Sequence, residues 1–339
     1  RGHIVTDNHM RTSDPDIYAV GDAVEVVSFI TGQKTALALA GPASKEARVA
    51  ADNIAGRDVA FNGVQGTSVV KIFDLTVAST GLNSRQLEQA KLPFNSVTTH
   101  NNDHASYYPG AAPLHLKLLF GPEGQIYGAQ AVGTRGVEKR VDVIATAIRG
   151  HMTTYDLEEL ELSYAPPFGA SRDPVNQVGF AASNVLRGDV QVKHWEDVAG
   201  LNPDEWYFLD VRRPEELAIG ELPMAKNIPL QQLREHLDEL PRDRKILVNC
   251  QSGQRSYFAT RLLRQKGFDA YNLTGGYKTW SHASNHENNH NHPTEPNLMN
   301  PVLTPTQTPT AAAPARELVV DACGLQCPGP ILKLANQVK

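Results

Sequence analysis

The sequence is poor in cysteine, has no long apolar run and carries no excess of positive charge. Three cysteines in 339 residues do not suggest the disulfide framework of a secreted protein. No apolar run is long enough to cross a membrane. The formal net charge of -5 gives no basic footprint for nucleic acid. We therefore predict a cytoplasmic protein in a reducing compartment, with neither nucleic acid nor membrane as a partner.

The remaining composition is that of an ordinary globular protein. Hydrophobic residues make up 41% and charged residues 20% of the chain, both near the usual proportions. The length is enough for two or three domains. The function must therefore be sought in local motifs.

The clearest chemistry lies at Cys250, between a predicted buried strand at Lys245–Asn249 and a predicted helix at 257–266 that stops at Gly267. On such a loop, backbone N–H groups point inward at the positive end of a helix dipole. That environment favours the reactive thiolate. Four residues separate Cys250 from Arg255, which adds a permanent positive charge. The loop is predicted to hold a persulfide or an oxyanion above the sulfur.

The segment 192–280 resembles a rhodanese domain. The resemblance rests on the strings Asp210-Val211-Arg212, Asn227-Ile228-Pro229 and Thr274-Gly275-Gly276-Tyr277. Glu221 departs from the pattern, because many members carry histidine there. The loop from Cys250 to Arg255 is shorter than that of cysteine phosphatases, which favours sulfur as the transferred atom. The resemblance implies a rhodanese-like α/β domain over 190–283, with Cys250 as the sulfur carrier and Arg255 as its cationic partner.

Near the start, the stretch 12–22 ends in Gly21 and Asp22 after a predicted short strand at 17–20. Gly21 lets a ligand approach the backbone closely, and Asp22 is a natural acceptor for a sugar-like hydroxyl. A turn aspartate is the alternative. The string resembles the second FAD motif of pyridine nucleotide-disulfide oxidoreductases. The resemblance implies that residues 1–60 end an FAD-binding domain and that Asp22 binds the ribityl chain of the flavin.

A predicted helix rich in small residues follows within 35–54. Small side chains allow a planar cofactor to approach closely. In the resembled family this helix starts beside the flavin, which implies cofactor contacts for Ala40 and Gly41. The resemblance also places Ser44 and Lys45 towards the thiol substrate. A solvated lysine is the alternative for Lys45.

The middle of the chain is predicted to be a compact α/β unit. A helix capped by Asn83 or Ser84 runs to Lys91, and an apolar-periodic helix covers 137–148. Predicted strands cover 69–73, 75–78, 114–120 and 126–133. This order resembles the dimerisation domain of the same flavoenzyme family, over 61–187, and implies a homodimer.

Two polar or proline-stiffened loops in this unit contain tyrosines: Tyr107 and Tyr108 in one, Tyr164 in the other. Both strings resemble coenzyme A-disulfide reductases and the related NADH-dependent persulfide reductases. The resemblance implies that tyrosines of both loops reach the partner subunit's active site, Tyr164 at the flavin and sulfur, and that Arg172 binds coenzyme A. It does not choose between Tyr107 and Tyr108. Surface or interface packing is the alternative.

The end of the chain changes character. Residues 284–315 are rich in Asn, His, Pro and Thr without periodicity, and are predicted to be a flexible linker. Residues 316–339 read as strand, turn and helix, with a Cys-Pro-x-Pro string that begins at Cys327. That string resembles the start of a TusA-like sulfur carrier, which implies a persulfide on Cys327 and sulfur-carrier partners. Half of a zinc site with Cys323 is the alternative, but no second ligand pair follows, so no metal is predicted.

Together these features predict an α/β multidomain protein. The resemblances imply FAD and NAD(P)H as cofactors, coenzyme A as substrate, and thiols and persulfides as reactants. The implied function is reduction of coenzyme A disulfide or of persulfide and polysulfide sulfur, with the rhodanese cysteine carrying sulfane sulfur. An NADH oxidase or peroxidase, or a non-reducing persulfide relay on a dimeric scaffold, are the alternatives.

No Gly-x-Gly-x-x-Gly fingerprint is present, and no cysteine precedes Asp22. We therefore expect a fragment truncated at both ends, with the nucleotide site and redox cysteine upstream of Arg1. By itself it is not expected to reduce a disulfide.

Overall fold

The computed structural model describes residues 2–290, with side chains from 2 to 284, and it is a mixed α/β structure as predicted. The TusA-like segment with Cys323 and Cys327, and the linker beyond His290, lie outside the described residues. Among the helices within 2–290, none combines the length and apolar character that a membrane span needs.

The strands, in chain order, are β1 Ile4–Val5, β2 Val24–Val27, β3 Lys34–Thr35, β4 Ser68–Ile72, β5 Leu75–Gly81, β6 Asn95–Asn102, β7 Pro113–Phe120, β8 Ile126–Gly133, β9 Gln191–Lys193, β10 Trp206–Asp210, β11 Lys226–Asn227, β12 Lys245–Asn249 and β13 Ala270–Leu273. The α-helices are α1 Ala40–Ile54, α2 Ser84–Gln89, α3 Val137–Arg149, α4 Thr154–Glu159, α5 Pro174–Leu186, α6 Gln254–Gln265 and α7 Gly276–His290.

The described chain divides into two compact units, which meet in sequence between Val192 and Lys193. The first contains a small sheet, β1-β2-β3, and a five-stranded antiparallel sheet in the order β4-β5-β8-β7-β6. Alternate residues of β7 point to one face, where α3 and α5 cover them. This core includes the buried side chains Leu114, Leu116, Leu118, Val137, Ile144 and Val178.

The second unit is built on a five-stranded sheet in the order β11-β10-β12-β13-β9. β10 pairs in parallel with β11 and with β12, and β12 pairs in parallel with β13, so the carboxyl ends of these four strands meet at one edge. Asp210 and Asn249 are register partners at the ends of β10 and β12. The residues that follow them, including Cys250, are therefore brought to the same edge of the sheet.

Most of the predicted regular elements are present with small shifts at their ends. Asn83 caps α2 through a reciprocal capping box, and the helix ends at Gln89, two residues before the predicted Lys91, which has φ of 54°. The predicted strand at 17–20 is wrong: Tyr18 forms only an isolated bridge to Arg11, and the partner segment leaves the extended conformation at Met10, which has φ of 66°.

The sequence prediction missed β6 and began the linker too early. β6 reads Asn-Ser-Val-Thr-Thr-His-Asn-Asn, and only two of its residues are buried, so it has little apolar alternation. Helix α7 continues to His290, into the segment predicted as linker, since no proline occurs there before Pro293.

Candidate functional site

Cys250 follows β12 directly and is fully buried. Helix α6 begins at Gln254 instead of the predicted residue 257, so Arg255 and Ser256 lie in its first turn. The Ser256 hydroxyl donates to the Cys250 sulfur at 3.4 Å. A hydroxyl donor and the amino end of a helix both stabilise negative charge on sulfur. The strand-loop-helix arrangement predicted around this cysteine is therefore present.

A pair of glycines shapes the other side of the loop. Gly276 has φ of 60°, and a Cβ there would lie 2.4 Å from the Cys250 carbonyl oxygen and 2.7 Å from the Gly253 nitrogen. Such distances leave no room for a side chain. The Tyr277 backbone N–H donates to the Cys250 carbonyl at 2.8 Å. The closing Gly-Gly turn thus packs against the backbone of the cysteine loop.

Behind the loop lies a buried ion pair. Arg212 and Asp210 are fully buried and 2.7 Å apart. The side-chain amide of Asn249 donates to the same carboxylate at 2.8 Å, and Arg212 reaches the Gln251 side-chain oxygen at 3.4 Å. Arg212 also lies over the Tyr277 ring, 4.4 Å from its centroid. These contacts tie the start of the loop to β10 and β12.

Arg255 forms a two-pronged ion pair with Glu216, with both nitrogen–oxygen distances at 2.6 Å. The bonds from Arg255 are the main cause that lowers the pKa of Glu216 to about 2. Glu216 lies on the short helix Pro214–Ile219, far from Arg255 in sequence. Sequence reasoning missed it, because nothing local distinguishes it from Glu215. Glu221, the residue that departs from the rhodanese pattern, is exposed.

In the first unit, the two tyrosine loops meet. The hydroxyls of Tyr107 and Tyr164 lie 3.0 Å apart, at side chains that are 75% and 46% exposed. This hydrogen bond is the main cause that raises the pKa of Tyr164. Tyr108 instead packs edge-on against His104, with centroids 5.9 Å apart. The structure therefore brings Tyr107, rather than Tyr108, to Tyr164.

Beneath the tyrosines lies a buried clamp formed by Arg140, Asp173 and Asp103. The Arg140 side chain is 2% exposed. Its guanidinium forms an ion pair with the Asp173 carboxylate at 2.8 Å and donates a hydrogen bond to the Asp103 carbonyl oxygen at 2.7 Å. The Ala105 N–H donates to the Gly169 carbonyl at 2.8 Å, which joins the two loops directly. Sequence reasoning missed this clamp. The sequence signal that could have revealed it is Arg140 itself, a charged residue within the buried apolar stripe of α3.

The Asp103 carboxylate links residues of the loop that contains Tyr107 and Tyr108. It accepts from the Ala112 N–H at 2.7 Å and lies 3.0 Å from His104 and 3.1 Å from Arg135. Burial raises the pKa of Asp103, but these hydrogen bonds and charges outweigh it and leave the pKa below its usual value. Arg135 also donates to the Gly110 carbonyl oxygen, so the loop is braced from both ends.

The predicted flavin residues converge at the start of α1. Gly21, with φ of 80°, donates its N–H to the buried Glu46 carboxylate at 2.7 Å, which places Asp22 beside the helix. Burial raises the pKa of Glu46. Around a Cβ built on Gly41, no described heavy atom lies within 4 Å. Five of the predicted cofactor and substrate residues are exposed here: Asp22, Ala40, Gly41, Ser44 and Lys45. An open backbone with a nearby carboxylate fits a planar cofactor that carries hydroxyls.

Arg172, the predicted coenzyme A ligand, is exposed and directly precedes the buried Asp173. It therefore lies on the surface at the end of the Tyr164 loop. Cys250 belongs to the second unit and Tyr164 to the first.

Two family comparisons match the two units. Residues 67–173 match the pyridine nucleotide-disulphide oxidoreductase dimerisation domain, and residues 195–283 match the rhodanese-like domain. The chain joins an oxidoreductase dimerisation domain to a rhodanese-like domain. The resemblances predicted for these two regions are thereby confirmed.

Several relatives share one or both domains. Coenzyme A disulfide reductase of Staphylococcus aureus is 36% identical over 184 residues, which cover 54% of this chain and 42% of the relative. The structure of reduced Bacillus anthracis CoADR-RHD has a TM-score of 0.81 at 47% identity, covering 83% of this chain and 51% of that one. A NAD-dependent persulfide reductase from A. fulgidus has a TM-score of 0.74 at 39% identity, covering 82% and 51%. The chain thus spans about half the length of each.

Proposed function

We propose that this chain forms part of a flavin-dependent, NAD(P)H-linked reductase of coenzyme A disulfide or of persulfide and polysulfide sulfur. Its rhodanese-like domain carries sulfane sulfur on Cys250. The observation that carries the reductase proposal is the contact between the Tyr107 and Tyr164 hydroxyls, 3.0 Å apart on two loops held by one buried clamp. The names of the relatives, a coenzyme A disulfide reductase and a persulfide reductase, support the same reaction class.

The tyrosine pair suits the stabilisation of a leaving thiolate. A phenol is already protonated at neutral pH, and the bond to Tyr107 raises the pKa of Tyr164 further. One O–H of the pair donates to the other hydroxyl, and the second O–H can donate to a substrate sulfur. A hydroxyl donor aimed at developing negative charge lowers the barrier to S–S cleavage. The buried Arg140–Asp173 pair keeps both loops in place while they remain at the surface.

The residues at the start of α1 are proposed to hold the flavin. Asp22 would accept from its ribityl hydroxyls, while Ala40 and Gly41 leave the helix backbone open beside it. When bound, the flavin supplies a route for an electron pair from nicotinamide to sulfur. Glu46 fixes Gly21 through its hydrogen bond, and Ser44 and Lys45 present polar groups for the substrate side.

Removing one hydroxyl of the tyrosine pair tests the reductase proposal. In the full-length protein, we expect Tyr164→Phe to lower kcat/KM for coenzyme A disulfide by about 10- to 100-fold, since a proton-donating group is lost. Tyr107→Phe is expected to cause a smaller loss in the same direction. Steady-state NADH oxidation with coenzyme A disulfide measures both.

Tyr108→Phe is the matched control, because that hydroxyl does not belong to the pair, and it is expected to retain wild-type kinetics. Equal losses in Tyr108→Phe and Tyr164→Phe would contradict the role of the pair. A wild-type protein that consumes oxygen but leaves coenzyme A disulfide and persulfides untouched would instead favour an NADH oxidase.

A homodimer is proposed from the aromatic surface around the same loops. Tyr107, Tyr108, Tyr164 and Phe168 are all exposed, Phe168 by 72%, on loops joined by the Ala105 to Gly169 hydrogen bond. Clustered exposed aromatic side chains are typical of protein interfaces. The partner subunit would cover this surface, and Tyr107 and Tyr164 would then reach its active site.

Light scattering on the full-length protein tests this assembly. We expect a dimer, and we expect Phe168→Asp to raise the dissociation constant about tenfold or more, because a charge would be buried at the interface. Phe258→Asp, at a half-exposed position on α6, serves as the control and should leave the dimer intact. A monomeric but active protein would contradict the contribution of Tyr164 across subunits.

A further inference from the structure

The arginine of the cysteine loop is already occupied by a carboxylate of its own chain. Both terminal nitrogens of Arg255 contact the two oxygens of Glu216, each at 2.6 Å. A bidentate pair of this kind uses the forked face that arginine would otherwise present to an anion. Glu216 is positioned for this contact by a capping bond from the Arg213 N–H at 3.0 Å.

The pair remains charged throughout the working pH range. The bonds from Arg255 are the largest of the causes that hold the pKa of Glu216 at about 2, and the bonds to Glu216 raise the pKa of Arg255. The second arginine near the loop, Arg212, is buried against Asp210 at 2.7 Å. Each of the two arginines is therefore paired with a carboxylate. Arg255 also interacts with Cys250, which is among the lesser causes that raise the pKa of this arginine, so the charge of Glu216 is placed on the arginine beside the sulfur.

Charge balance matters because sulfur donors differ in charge. With thiosulfate, the Cys250 thiolate attacks the outer sulfur, the new Cys–S bond forms, and the S–S bond breaks with its electron pair leaving on sulfite. The singly charged thiolate and doubly charged thiosulfate become a singly charged persulfide and doubly charged sulfite. With a protonated alkyl persulfide, the same attack releases an alkyl thiol, and the leaving sulfur takes the proton. The total charge is then only that of the thiolate.

We propose that Glu216 is a specificity-determining residue that neutralises Arg255 and thereby selects low-charge persulfide donors over dianionic thiosulfate. This inference rests on the proposed sulfur-carrying role of Cys250. Binding of the doubly charged thiosulfate needs a cation at the loop that no carboxylate neutralises. Glu216 neutralises Arg255, so Arg255 does not provide that cation. Specificity is the ratio of the rates at which the two donors load Cys250. Glu216 sets this ratio mainly by slowing the loading from thiosulfate.

The test compares loading rates in the full chain. Mass spectrometry follows the persulfide on Cys250 during reaction with thiosulfate and, separately, with 2-hydroxyethyl persulfide, whose carbon chain carries no charged group. In Glu216→Gln, which keeps the side-chain shape, we expect the ratio of the thiosulfate to the persulfide rate constant to rise about tenfold. Glu216→Asp keeps the charge and should return the ratio towards the wild-type value. Sulfate should slow loading of Glu216→Gln more than that of wild type, because Arg255 is then available to bind it.

Glu215→Gln is the matched control, because Glu215 is exposed on the same short helix and the substitution removes the same charge. An unchanged donor ratio in Glu216→Gln, or an equal rise in Glu215→Gln, would overturn the inference. Wild-type Cys250 that accepts sulfur from neither donor would instead overturn the sulfur-carrying function itself, so the two failures are distinct.

Discussion

Replacing Cys250 by serine is expected to abolish the uptake of sulfur by the rhodanese-like domain, with a loss of about 10³-fold or more in the loading rate. The thiolate is the nucleophile, and a serine hydroxyl at the same position remains protonated. The surrounding donors, Ser256 at 3.4 Å and the amino end of α6, stabilise a sulfur anion and cannot replace one. Peptide-resolved mass spectrometry after incubation with polysulfide measures the change.

The other two cysteines of the chain provide the controls. Cys323→Ser and Cys327→Ser each remove a thiol outside the sequence of the Cys250 loop, so each is expected to leave persulfide formation on Cys250 intact. An unmodified Cys250 beside a modified Cys327 in the wild-type chain would contradict the assignment. Loading that persists in Cys250→Ser at the wild-type rate would do the same.

Replacing Arg140 by methionine is expected to destabilise the first unit by about 3–5 kcal/mol. The substitution leaves the Asp173 carboxylate buried without its 2.8 Å partner and frees the Asp103 carbonyl oxygen. A buried charge that loses its partner bears the full cost of desolvation. Because the same clamp joins the loops of Tyr107 and Tyr164, the hydrogen bond between the tyrosines should be lost as well.

Urea denaturation measures the free energy of unfolding, and amide hydrogen exchange at Ala105 reports on the loop junction. The Ala105 amide, bonded to Gly169 at 2.8 Å, should exchange faster in Arg140→Met. Lys139→Met is the control at an exposed position on the same helix, with an expected change within about 0.5 kcal/mol. If both variants unfold alike and protect Ala105 alike, the clamp does not hold the loops.

The sequence was most informative where one segment carries its own signal. Strand β12 was predicted with its observed ends, and β8 likewise, because an apolar run between polar or glycine residues defines a buried strand. The cap of α2 was predicted to be Asn83 or Ser84, since a cap depends on residues three apart, and the structure has Asn83 in that position. Prediction was poorer where a segment gains its structure from neighbours. β6 is mostly polar and extends through pairing with β7, whereas residues 17–20 are apolar and form only an isolated bridge, because their partner segment turns away at Met10.

For the candidate site, the sequence by itself determined the residue types: a cysteine between a strand and a helix, an arginine near it, and tyrosines in two loops. Only the tertiary structure decided which of them meet. It paired Tyr164 with Tyr107 instead of Tyr108, Arg255 with Glu216, and Arg140 with Asp173. Each partner lies more than thirty residues away in sequence. Local periodicity encodes strands and helices, but it does not encode which loop ends the folded sheets and helices bring within hydrogen-bonding distance.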